Sequence, residues 1–256
     1  MEQHHYDSIA QRMERVMQTF QATRTLAEAH GLSAELSDFL VNSDSYFRSV
    51  AYEGAAMGLV LRDSTNSNAA FPQWSALLVN EGAMHAVQVH IGLGWALAEK
   101  NGPLQLPASC TDTDAVLDGY GYYFGLLRRR PTVRQQLIPV EITPEHLPAF
   151  DRGLGRSLWY ISKGDMELVM QMMAAFDATR QPNLWRGLSI AVTYVGGCLP
   201  EQLDALWQSA GNHQSQLVDG AKRVAKSRIK AHTSLVEVEK VCQQWLGIAA
   251  LEAAKD

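Results

Sequence analysis

Three carboxylates and a histidine stand where side-chain chemistry is expected. Glu53 directly precedes the small-residue run Gly54-Ala-Ala-Met-Gly58. A helix carrying such a run packs closely against a neighbour and buries the glutamate, so its carboxylate must be paired or protonated. Desolvation would raise its pKa and suit it to general acid–base work. Asp118 holds the matching place before Gly119 in LDGYGYYFG, and Arg186 the place before Gly187 in LWRGLSIAV. A second glycine series, HIGLGWAL, DRGLGRSLW and LVDGAKRVA, aligns His90 with Asp151 and Trp95 with Arg156. Glu53, His90, Asp118 and Asp151 are therefore candidate catalytic groups. Arg156 and Arg186 are candidates to hold an anionic or carbonyl group, and Trp95, Tyr120, Trp159 and Tyr194 to wall a central pocket. A buried salt-bridge network of Glu53 and Asp118 with Arg156 and Arg186, holding helices in register, accounts for the same charges without catalysis.

The elements that must position these groups read as helices. Ile9, Met13, Val16, Met17 and Phe20 share one helical face. Gly31 stops that helix, and Ser33 caps a second carrying Leu36, Phe39 and Leu40. Further helices are expected over Ser43–Leu61, from Pro72, through AMHAVQVHIGLGWALAEK to Asn101-Gly102, and from Asp114 or a neighbour to Pro131. Thr143-Pro144-Glu145 and Asp165 open two more, and Pro182 leads another. Two long helices over 200–231 and 234–254, with Thr233 or Ser234 between them, complete the chain. Period-2 alternation occurs only in HAVQVHI, and QLIPVEI reads as a short extended link. The expectation is a single all-α domain, 1–256, of about ten helices. The glycine anchors Gly54, Gly119, Gly187 and Gly94, Gly155, Gly220 suggest three helical units of about 65 residues over 46–231. A helix pair (1–45) precedes them and a C-terminal helix (232–256) follows.

Composition narrows the function. The 256 residues are 46% apolar, with 22 Lys and Arg against 27 Asp and Glu, a net charge of -5 that argues against a nucleic-acid binder. No apolar run is long enough to span a bilayer. The first residues carry no cationic block followed by an apolar one, and Cys110, Cys198 and Cys242 fit neither a disulfide framework nor a zinc site, so a cytoplasmic location is expected. There is no strand–glycine–helix dinucleotide fingerprint, no P-loop and no HExxH; His85 and His90, five apart, share no helix face. No cofactor or metal is expected. Lys222, Arg223, Lys226 and Lys230 form a basic stripe on one expected helix, a candidate docking surface for an acyl carrier protein.

The blocks RSVAYEGAAMGLVL, HIGLGWALA, LDGYGYYFG, FDRGLGRSLWY and LWRGLSIAVTYVGG resemble the family catalogued as domain of unknown function 1702, with similarity running from about Phe47 to Ala231. That resemblance implies a place in natural-product biosynthesis of polyketide or enediyne type, inside the cell, and implies no reaction. Ser45, Ser49 and Glu53 are spaced like the second metal motif of class I terpene cyclases, but the first-position Asn or Asp and an aspartate-rich partner are missing. Together the readings point to a cofactor-independent tailoring isomerase or cyclase acting on a small pathway intermediate. The alternative is a non-catalytic helical-repeat module that binds such an intermediate or an acyl carrier protein.

Overall fold

Side-chain caps start four of the helices in the computed structural model, which describes residues 8–64 and 70–255. Ser8 opens α1 (Ile9–His30) with a reciprocal capping box to Gln11, and Gly31, at φ 68°, ends it. Ser33 caps α2 (Ala34–Asn42). Next come α3 (Arg48–Asp63), α4 (Pro72–Val79) and α5 (Ala86–Lys100), which Asn101 stops in the left-handed conformation. Asp112 caps α6 (Thr113–Leu127), its carboxylate accepting from the Ala115 amide at 2.9 Å. The chain continues through α7 (Leu147–Ser162), α8 (Met166–Ala174, capped by Asp165) and α9 (Gln181–Val195). It ends with α10 (Pro200–Ala210), α11 (Gln214–Lys230), α12 (Val236–Leu246) and α13 (Ala250–Ala253). Among the described residues there is no strand, and no helix is long and apolar enough to cross a membrane.

Among the described residues thirteen α-helices replace the expected ten or so because two long spans are broken. Gly211, at φ 51°, separates α10 from α11, and Gly247, at φ 69°, separates α12 from α13. A left-handed residue cannot continue a right-handed helix. HAVQVHI, despite its alternation, is helical, its Ala86 opening α5, and QLIPVEI is an irregular link with a turn at Val140–Glu141.

Seven long helices form the body: α1, α3, α5, α6, α7, α9 and α11 each pack chiefly on the next in that order. The sequence pattern behind this is a small residue at i and i+2. Two residues on an α-helix differ by about 200°, so such a pair faces opposite neighbours. On α5, Gly92 meets the Glu53 carbonyl of α3 while Gly94 meets the Val116 carbonyl of α6. On α6, Gly119 returns the contact to Ile91 and Gly121 meets Phe150 of α7; on α7, Gly153 meets Asp118 and Gly155 meets Leu184 of α9. What recurs is thus a single helix with glycine on both sides.

The row curls so that its later members meet its early ones. Gln88 of α5 donates to Ser227 Oγ of α11 at 3.0 Å. A buried cluster ties α1, α9, α11 and α12 together: the Arg12 guanidinium donates to the Tyr46 hydroxyl at 3.2 Å and to Glu237 at 3.3 Å. Arg228 donates to the Tyr46 and Tyr194 carbonyls at 3.2 and 3.1 Å and lies over both rings.

The packing makes a test. A Cβ at Gly153 would stand 1.8 Å from the Asp118 carbonyl oxygen, whereas one at Gly102 would meet nothing within 4 Å. Gly153→Ala is expected to lose about 1–3 kcal/mol or more in urea unfolding, and Gly102→Ala to stay within about 0.5 kcal/mol of the parent.

Candidate active site

Curling of the helix row leaves a cleft of about 280 Å³ lined by α3, α5, α6, α7, α9 and α11. Its polar floor comes from Glu53, Asp118, Arg152, Arg156 and Tyr194, and Val87, Ile91, Ala115, Ile190 and Val224 supply apolar walls. One lip carries Asp112 and Asp114 at the start of α6; the other carries Arg223, Lys226 and Lys230 of α11. This is near the lower end of the size range for small-molecule pockets, and its mix of apolar wall and few polar groups is usual for them.

At the floor, Asp118 is gripped from two sides. Arg156 Nη1 donates to its Oδ1 at 2.6 Å and Arg152 Nε to its Oδ2 at 2.7 Å. Arg152 also donates to the Asp114 carbonyl at 2.8 Å and has that residue's carboxylate at 3.8 Å. Burial by itself would raise the Asp118 pKa; the pull of Arg156 and then Arg152 outweighs it, and the carboxyl stays below its ordinary value of 3.8. Arg156 in turn is held firmly protonated: burial opposes its charge, but Asp118, Glu53 and Tyr122, whose ring it covers at 4.5 Å, overcome that.

Glu53 is the carboxylate left short of a partner. Its nearest cation, Arg156 Nη2, is 3.9 Å away, beyond hydrogen-bonding distance, while Nη1 of the same guanidinium is bonded to Asp118. Burial dominates and lifts its pKa from 4.5 to about 7; Arg156 pulls it down and the Asp118 charge pushes it up. The indole N–H of Trp95 leans toward the carboxylate enough to lower its pKa slightly but closes no hydrogen bond of good geometry, and it remains buried without an acceptor. The buried Tyr194 hydroxyl is likewise without a well-formed hydrogen bond. Behind Glu53 these two residues, with Phe20, Tyr122, Arg156 and Tyr160, enclose a void of about 10 Å³, at the threshold for one water molecule.

The structure brings together Glu53, Asp118, Arg156, Trp95 and Tyr194 from the residues expected of a site, and places the other five elsewhere. His90 faces away from the cleft: its ring bonds the Ala86 carbonyl at 2.7 Å and the Thr111 amide at 3.1 Å, against the edge of Trp74. Asp151 pairs with Arg180, Nε to Oδ2 at 3.0 Å. Arg186 turns to Asp219 at 2.9 Å and Asn183 at 2.8 Å. Tyr120 stacks on Phe124, and Trp159 is wholly buried away from the cleft. The charge network that forms contains Arg152 where Arg186 was expected. Its signal was present: Asp114 and Asp118 form an acidic pair at i, i+4 on α6, and Arg152 and Arg156 a basic pair at i, i+4 on α7, which packs against it. Of the basic stripe, Arg223, Lys226 and Lys230 line the cleft and Lys222 does not.

Ser49 donates to or accepts from His85 Nδ1 at 3.1 Å, so the spacing Ser45, Ser49, Glu53 does not converge on a shared ligand site. Among the described residues no cluster of three or more His, Cys, Asp or Glu side chains is placed to hold a metal ion. The three cysteines are free, and burial pushes each thiol's pKa up.

A family model described as a protein of unknown function, DUF1702, matches residues 2–256, and the chain belongs to that family. No curated protein and no solved structure matches it.

The geometry separates the two floor carboxylates experimentally. Asp118→Asn leaves Arg152 and Arg156 buried without their counter-charge and is expected to lose about 3–5 kcal/mol of unfolding free energy in urea. Glu53 behaves in the opposite sense. Its folded pKa of about 7 exceeds the ordinary 4.5, so the folded state holds the proton more tightly and stability falls as pH rises between those values. His85, buried against Tyr52 with its pKa lowered from 6.5 to about 4, gives the reverse slope over much of that window. The difference between parent and Glu53→Gln isolates the glutamate: melting curves at a series of pH values should show the variant relatively more stable as pH climbs to about 7 and above. A pH-independent difference would mean that Glu53 ionises normally.

Proposed function

We propose that this member of the DUF1702 family is a natural-product tailoring enzyme that moves a proton on a small pathway intermediate, as an isomerase or cyclase needing no redox cofactor. The observation that carries the proposal is Glu53: a carboxyl of near-neutral pKa at the floor of a partly apolar cleft. A general acid–base group works best when its pKa lies near the operating pH. In this reading Glu53 takes a proton from a carbon or oxygen of the substrate and returns one at another position. Arg156, 3.9 Å away, offsets part of the charge that builds on the carboxyl. The Tyr194 hydroxyl, which has no partner of good geometry, is the donor for an oxygen that gains negative charge. Asp118 and Arg152 touch no reacting atom; they hold Arg156 in place.

A second reading rests on a separate observation. Asp118, Arg152 and Arg156 satisfy one another as a structural ion-pair network would, and Arg223, Lys226 and Lys230 stand at the cleft mouth. A non-catalytic module that binds an intermediate, or receives one from an acidic acyl carrier protein at this lip, uses the same features without proton transfer.

Solvent exchange distinguishes the two. The protein is incubated in deuterium oxide with a small-molecule extract of cells that carry its gene, and products are read by mass spectrometry. The enzyme reading expects a compound that incorporates deuterium with the parent protein, and incorporation reduced by about 100-fold or more with Glu53→Gln. Equal incorporation with the parent and a heat-inactivated sample would favour the binding module.

A further inference from the structure

The carboxylates around the cleft other than Glu53 have partners within the chain, and three of the cleft's cations do not. Asp112 is spent as the cap of α6, and Asp114 and Asp118 lie against Arg152, while Glu53 stands 3.9 Å from Arg156. Arg223, Lys226 and Lys230 have no carboxylate partner among the described residues, and all three are exposed on one side of α11, at the cleft's edge. They fall at i, i+3 and i+7, which brings them onto one face of that helix. Arg223 is further crowded by like charge: besides its partial burial, Arg152 and Arg186 lower its pKa, against weaker support from Asp118 and Asp219. Beside this lip the cleft is walled by Val87, Ile91, Ile190 and Val224, and Glu53 lies buried at its floor. The cleft thus has one cationic lip, on α11, without an ion-pair partner among the described residues, apolar walls and a buried carboxyl at its floor.

We infer that the cleft recognises an amphipathic organic anion, its acidic group held at Arg223, Lys226 and Lys230 and its apolar body laid over Val87, Ile91 and Ile190 toward Glu53. This deepens the proposed function by naming the substrate class, and rests on that reading only for what happens at the far end of the ligand. The head group is a carboxylate or a phosphate monoester, since both satisfy an ammonium and guanidinium rim. The apolar wall rejects a small hydrophilic anion, because inorganic phosphate would meet the rim without covering the hydrocarbon surface.

The probe is anilinonaphthalene sulfonate, with phenylnaphthylamine, the same ring system without the sulfonate, as its uncharged match. Fluorescence titration of the full chain is expected to show tighter binding of the sulfonate. Lys226→Glu with Lys230→Glu, both exposed and outside the helix contacts, should weaken the sulfonate about tenfold and phenylnaphthylamine by less than about twofold, since each exposed charge pair contributes up to about 1 kcal/mol. Ile190→Trp, which fills the apolar middle, should weaken both probes. Competition by decanoate against decyl phosphate then identifies the head group, and inorganic phosphate alone should not compete. Equal effects of the charge reversal on both probes, or no effect of Ile190→Trp on either, would overturn the inference. Glu53→Gln keeps the rim intact and should keep the sulfonate affinity. Lysine-dependent binding without deuterium incorporation therefore removes only the proposed chemistry, and incorporation without lysine dependence removes only the anion rim.

Discussion

The architecture depends on helix backbones meeting where a Cβ would stand. At the α6–α7 seam a methyl on Gly153 would fall 1.8 Å from the Asp118 carbonyl oxygen, and at the α5–α6 seam one on Gly94 would fall 1.9 Å from that of Val116. Glycine in a helix interior costs about 1 kcal/mol against alanine. The close approach offsets this through dense dispersion contacts and Cα–H···O contacts along each seam. Because the paired small residues lie two apart, each central helix is approached from both sides. A row of such helices is therefore buried nearly all round, and α5 is buried without interruption from Gln88 to Ala98.

Close seams also shape the electrostatics. Gly153 brings α7 against α6 at Asp118, so the neighbouring Arg152 and, one turn on, Arg156 reach the carboxylate with short bonds in a site shielded from water. An ion pair is secure there only when each charge is fully hydrogen-bonded, and Asp118 meets that condition with two guanidinium groups. Glu53 comes from α3 and approaches the same guanidinium only to 3.9 Å, too far for a hydrogen bond. The arrangement supplies one carboxylate that stays ionised and one whose proton is held near neutrality, a difference set by partners rather than by residue type. That contrast is the physical core of the acid–base reading.

Much of the helical framework was legible in the amino-acid order. Capping by Ser33 and Asp165, the stop at Asn101 and the burial of Glu53 beside small residues are local effects, decided within a turn or two. The breaks at Gly211 and Gly247 were legible in principle as glycine stops, but the apolar spacing on either side reads straight through them. The site was legible only in part. Gln88 faces the cleft while His90 faces away, and Arg152 reaches Asp118 while Asp151 turns to Arg180. Neighbours in sequence differ by about 100° around a helix, and residues two apart by about 200°. Choosing the right one requires the helix phase. Amphipathicity ordinarily supplies that phase, but α5 and α7 are buried on nearly every side, so burial does not say which neighbour a polar residue faces.

The amino-acid order alone thus determined the all-α class, most helix starts and stops, the glycine seams and the presence of a buried carboxylate. Those properties arise from backbone sterics, capping and the cost of burying charge, which act over a few residues. Tertiary structure alone decided which charges share a site. It set Arg152 rather than Arg186 beside Asp118, left Glu53 3.9 Å from a guanidinium already in use, and brought three cations of α11 to the edge of the same cleft. Distance in space between residues far apart in sequence follows from how the whole helix row curls back on itself, and that is a sum over all its seams.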